Sequence, residues 1–136
     1  MPRLAGRHAQ FDRGRTAHRD CDDECKTPAA EEVCEQIAIP MHTAGGWLDI
    51  YSQRTLNGYA GMSKRGKTEI ARKQSRMLIG PWGHGPSQKF GELDFGTHAN
   101  VDELNVQLRW SDRWLKDVDN GLDREPPGTL YVMGAN

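Results

Sequence analysis

The chain has 136 residues, enough for one ordinary domain with its own core. Only 36% of the residues are hydrophobic and the mean hydropathy is −0.77, below the usual values for a compact α/β domain, so part of the chain is expected to be solvated. A net charge of −1 and a pI near 6.5 exclude a bulk electrostatic pull toward nucleic acid or anionic lipid, and no apolar run approaches the roughly 20 residues of a membrane span.

The solvated part is predicted at the start. Residues 1–27 hold Arg3, Arg7, Arg13, Arg15 and Arg19 beside Asp12, Asp20, Asp22, Asp23 and Glu24, with almost no aliphatic side chains to bury. They read as a disordered polar leader. No apolar segment follows the arginines as a signal peptide requires, so a cytoplasmic location is expected. Cys21, Cys25 and Cys34 form an odd set whose spacings fit neither a zinc ribbon nor a disulfide framework, so free thiols are expected.

Residues 28–36 carry good helix formers behind Pro28 and predict a short helix or turn. Ile37 to Thr43 then forms an apolar run that predicts a buried strand. Ala44-Gly45-Gly46 is expected to end it, and Pro40 to confine its pairing to the first residues. A helix with a broad apolar face is predicted over 50–62. The basic stretch from Ser63 to Arg76 reads as a solvated connector; it lacks the interleaved aromatics that base stacking requires. Met77-Leu78-Ile79 predicts a second short buried strand, ended by Gly80-Pro81. The clearest helix spans 101–118. There Leu104, Leu108 and Leu115 extend one stripe from Val101 to Val118, Asn100 and Glu103 supply a capping pair, and Asn120-Gly121 supplies the stop. Thr129 to Met133 begins another strand behind Pro126-Pro127-Gly128. This alternation of strands and helices predicts an α/β fold with crossovers.

Two motifs carry chemistry. Gly45-Gly46-Trp47-Leu48-Asp49 and Gly80-Pro81-Trp82-Gly83-His84-Gly85 each follow a predicted strand, and their acid and histidine lie 35 residues apart, room for a helix and a connector between adjacent strands. A carboxylate and an imidazole delivered on neighbouring strand ends form two thirds of a charge relay, with Asp49 fixing the tautomer of His84. The plainer alternative is a helix-capping Asp49 and a loop histidine bonded to water. The nucleophile is missing. Gly61-Met62-Ser63-Lys64-Arg65-Gly66 fits G-x-S-x-x-G on paper, but it follows a helix and would put Ser63 between the acid and the base in chain order. His42, His84, His98 and Asp94 share no ligand spacing, so neither metal nor cofactor is expected, and His42 is expected in or beside the sheet.

Four ordered blocks, 39–51, 77–85, 108–116 and 130–134, resemble the X-Pro dipeptidyl-peptidase and cocaine-esterase (CocE/NonD) family of serine hydrolases. The resemblance implies a partial α/β-hydrolase sheet over 28–122, the C-terminal part of a catalytic domain. It further implies that 123–136 begin a β jelly-roll domain with Tyr131 on its first strand. Asp49 and His84 match the family's catalytic acid and base. The implied parent activity is acyl hydrolysis of a small ester, amide or peptide, whereas this chain, which has no G-x-S-Y-x-G elbow, is expected to be inactive alone. Ile50, Tyr51 and Ser52 replace the acidic pair by which related α-amino-acid ester hydrolases hold an ammonium group, which disfavours amino-acid esters. The competing reading is a non-catalytic remnant or an assembly module. In either case the unpaired sheet edge predicts self-association.

Overall fold

The computed structural model describes residues 32–134. The polar leader, Cys21, Cys25 and residues 28–31 of the predicted first turn lie outside them. The described elements are a 3₁₀ turn at Cys34–Gln36, β1 at His42–Gly46, α1 at Ser52–Arg65, α2 at Glu69–Gln74 and β2 at Arg76–Gly80. They continue with a two-residue hairpin of β3 at Lys89–Phe90 and β4 at Leu93–Asp94, a 3₁₀ turn at Thr97–Ala99, α3 at Glu103–Lys116, a 3₁₀ turn at Leu122–Arg124, and β5 at Gly128–Leu130.

The sheet has the order β1-β2-β5 and is parallel throughout, with His42 to Gly46 facing Arg76 to Gly80 and Met77 to Ile79 facing Gly128 to Leu130. Parallel neighbours need crossovers, and the helices supply them. α1 and α2 connect β1 to β2, and α3 lies between β2 and β5. Successive strand residues point to opposite faces. A side chain at Gly45 would meet Thr55 of α1, whereas the His42 ring packs edge-on against Trp110 of α3, centroids 5.4 Å apart. The two helices therefore cover opposite faces of β1.

β1 begins five residues later than the apolar run suggests. Ile37 to Met41 precede the strand and are tied by other groups: Ile37 O accepts from Lys67 N, Ala38 O from Thr68 Oγ1, and Met41 N donates to Ser75 Oγ. Pro40 thus lies outside the ladder, where its missing N–H costs nothing. Gly45 and Gly46 pair within the strand instead of ending it, because each is closely approached from the side where a Cβ would stand.

The predicted solvated connector is largely helical. α1 runs on to Arg65, and Thr68 caps α2 by accepting from Ala71 N at 3.1 Å. Its charges are used locally, in Lys73–Glu69 and in Arg72 donating to Gly66 O. Met62 and Ala71 from the two helices join Cys34 in a small buried cluster edged by Ile37 and Met41.

α3 starts two residues later than predicted. Asp102 caps it by accepting from Asn105 N, replacing the expected Asn100 and Glu103 pair, and Asp117 ends it in the left-handed conformation at φ 55°. The larger departure is its orientation. Leu104, Leu108 and Leu115 are 66%, 54% and 83% exposed, while Val106, Trp110, Arg113 and Trp114 turn inward. Truncating Leu108 to alanine is accordingly expected to change the stability of this chain by less than about 0.5 kcal/mol. Ile79→Ala, at a fully buried position, should cost about 2–5 kcal/mol. Urea unfolding of the two variants checks this, and equal costs would put the leucine stripe in the core.

At the C-terminal end, β5 hydrogen-bonds along β2 as the third strand of the same sheet. Arg76, only 7% exposed at the start of β2, donates to the carbonyls of Leu122 and Asp123 and secures the approach to β5.

Candidate active site

The site is built where β1 and β2 end. Pairing of the strands continues past their last residues: Trp47 N donates to Gly80 O and Leu48 N to Trp82 O, both at 2.9 Å. Gly46 makes this closeness possible, since any Cβ there would overlap the Trp82 carbonyl. The acid turn and the histidine loop are thus held to each other by main-chain bonds before any charged group is considered.

Those bonds bring Asp49 and His84 together. His84 Nδ1 lies 3.1 Å from Asp49 Oδ2; a carboxylate only accepts, so Nδ1 carries the proton and Nε2 is left as the basic nitrogen. Asp49 Oδ1 accepts from Tyr51 N at 2.9 Å, at the start of α1. The Asp49 side chain is only 9% exposed, whereas His84 is 80% exposed, and Nε2 has no partner among the described residues. The Tyr51 ring meets the imidazole edge-on at 5.6 Å.

The Tyr51 N–H holds the Asp49 carboxyl below its ordinary value of 3.8, and the hydrogen bond and charge of His84 add to this. A carboxyl lowered on folding stabilises the fold above the unfolded value and loses that contribution as pH falls through the folded one. Asp49→Asn should therefore flatten part of the acid limb of stability below about pH 4. Urea midpoints for both proteins between pH 2 and 6 test this; parallel curves would show that Asp49 has no linkage to folding.

Beside the pair a cleft of about 610 Å³ opens between the sheet and α3. Leu78, Trp82, Val106 and Trp110 give it apolar walls, and His42, Glu103, Gln107 and Ser111 add polar groups. His42 sits in β1 as expected, half buried against Trp110, and burial lowers its pKa. The Trp82 indole donates to Ala99 O at 2.6 Å and fixes the base of the histidine loop.

The other sequence candidates and the nearby serine are not bonded to the pair. Ser63 is inside α1, its Oγ donating to Ala60 O, and it does not line the cleft. Ser111 lines the cleft from within α3 but makes no bond to His84. Asp94 binds Gln88 and Gly96 N in the hairpin, and His98 lies in the 3₁₀ turn before α3. Among the described residues no three histidine, cysteine or acidic side chains form a metal-binding group, and no helix is long and apolar enough to cross a membrane. Sequence reasoning missed the contributions of Trp47 and Tyr51, whose roles depend on backbone groups and ring placement that carry no motif.

No family model matches the chain. It is 25% identical over 96 residues to two curated proteins, each named "Putative serine esterase", from Mycobacterium bovis and Mycobacterium tuberculosis. The alignment covers 71% of this chain but only 14% of each relative, so the chain spans about a seventh of their length.

Proposed function

We propose that Asp49 and His84 are the acid and base of a serine-hydrolase charge relay, in the C-terminal part of an α/β-hydrolase catalytic domain of the X-Pro dipeptidyl-peptidase or CocE type. The observation that carries the reading is the 3.1 Å bond between Nδ1 of an exposed imidazole and a carboxylate 9% exposed, with Nε2 without a partner among the described residues. Within this reading a serine from outside the described residues approaches Nε2. His84 takes the hydroxyl proton as Oγ attacks the carbonyl carbon of a small ester, amide or peptide; Asp49 stabilises the imidazolium. The proton then passes to the leaving group as the tetrahedral intermediate collapses to an acyl-enzyme. Water, deprotonated by the same imidazole, releases the acid and restores the serine. Asp49 and His84 alone have nothing to deprotonate, so the described residues by themselves perform no turnover. β5 would lead from this sheet into a β-sandwich domain.

A fluorophosphonate ester, which reacts with activated serines, tests the proposal. The chain alone should remain unlabelled. Assembled with a segment carrying a G-x-S-Y-x-G elbow, one serine of that segment should react, and His84→Ala should abolish the reaction. Labelling of Ser63 or Ser111, or labelling indifferent to His84→Ala, would overturn the assignment.

Exposed Leu104, Leu108 and Leu115 on α3 and the outer edge of β1, unpaired among the described residues, favour assembly as part of the same reading. Sedimentation of the isolated chain should show association that rises with concentration; a monomer at all concentrations would remove this part of the proposal.

A further inference from the structure

The geometry points to Trp47 as a positioning residue for the Asp49–His84 pair, acting through the carbonyl of Tyr131; the inference rests on the reading of that pair as acid and base. Trp47 follows the last residue of β1. Its main-chain N–H is bonded to Gly80 O at the end of β2, and its indole Nε1 donates to Tyr131 O, just past the end of β5, at 2.8 Å and across 84 residues of sequence. Since β2 lies between β1 and β5, this one residue brackets the ends of all three strands. Asp49 comes two residues later.

The far end of the bracket is itself secured. Tyr131 N donates to Ile79 O and its hydroxyl to Phe95 O, both at 2.8 Å, so its carbonyl is presented from a strand end fixed on two sides. The near end needs such support because the histidine does not provide it. His84 is 80% exposed and flanked by Gly83 and Gly85, the latter at φ 114°, so its loop has little of its own to hold the ring. The pair's geometry therefore depends on where the acid turn places Asp49. A tryptophan suits the task because its indole only donates and its length spans the intervening strand end; phenylalanine keeps most of the ring but loses the donor.

A merely structural bond and a positioning bond give different results by ¹⁵N NMR of His84. In the unmodified chain His84 should be a single tautomer protonated at Nδ1, and Asp49→Asn should abolish that preference. Trp47→Phe should shift the His84 nitrogens at least halfway toward the Asp49→Asn values. Tyr131→Phe deletes a bond of equal length that supports the bracket's far end but leaves both bonds of Trp47 in place, and should shift them much less than Trp47→Phe does. Should Trp47→Phe fail to fold, site-specific replacement of Trp47 by β-(3-benzothienyl)alanine, which keeps the bicyclic shape without the N–H, should give the same shift. Wild-type His84 signals in the folded Trp47 variant, or an equal shift in Tyr131→Phe, would overturn the inference while leaving the acid–base reading intact. Identical spectra for the unmodified chain and Asp49→Asn would remove both.

Discussion

Replacing Asp49 by asparagine is expected to lower kcat by about 10⁴-fold in the hydrolase assembled from this chain and its nucleophile-bearing segment, with KM nearly unchanged. The size follows from the protonation pattern. Asp49 accepts the Nδ1 proton of His84, so Nε2 faces the nucleophile as a base. An asparagine amide can present its N–H₂ to Nδ1, which stabilises the opposite tautomer and leaves Nε2 protonated at the moment it should take a proton. It also withdraws the negative charge that stabilises the imidazolium in the transition state. A 10⁴-fold loss corresponds to about 5.4 kcal/mol of transition-state stabilisation, too much for an incidental hydrogen bond. Steady-state hydrolysis of an activated ester measures it. A loss below tenfold would mean that the carboxylate has only a helix-capping part to play.

The same residues show what a single sequence exposes and what it conceals. Asp49 and His84 were legible because each stands a few residues beyond an apolar run, on a glycine-bounded loop, and side chains of that chemistry at consecutive strand ends have few places to go but toward each other. The parallel pairing behind them followed from the helix between the runs. The strand's frame did not. Ile37 to Met41 look like a strand because they are apolar, yet their main chain is satisfied by Thr68, Ser75 and Lys67, partners up to 34 residues away that no local pattern announces. α3 was legible as a helix but not in orientation, since it has two apolar sides. Leucines form the cleaner stripe. The side that docks is the one whose rings meet the His42 imidazole and the partly open face of β1 and β2. Similarly, the basic run after Ser63 concealed a capped helix because its charges pair within one turn of it, and nothing local to Thr129–Met133 names β2 as the strand that β5 pairs with.

Gly46→Ala should be the most destructive glycine-to-alanine change among the described residues. The Cβ it adds would stand inside the contact radius of the Trp82 carbonyl group and 2.7 Å from Gly83 O. All of these are main-chain atoms, so no rotamer can swing aside, as the Thr55 side chain could for a methyl at Gly45. The loops must part, and parting them lengthens the bonds from Trp47 N to Gly80 O and from Leu48 N to Trp82 O that hold the acid turn to the histidine loop. Overpacking of about 1–3 kcal/mol plus about 1 kcal/mol for each lost bond gives a penalty of roughly 3–5 kcal/mol. Domains of this size have only about 5–15 kcal/mol in total, and a sheet flanked by a helix with no fully buried residue lies toward the low end. Urea unfolding followed by circular dichroism should therefore show Gly46→Ala mostly unfolded at 37 °C. Gly128→Ala is the matched control, also in the parallel sheet, where the new Cβ would meet only the Met77 methyl at an ordinary 3.7 Å. It should be neutral or slightly stabilising, since alanine restricts the unfolded chain more than glycine does. If both variants unfold at the wild-type midpoint, the strand ends are not in the close contact described, and nothing then obliges the Asp49 carboxylate to meet the imidazole.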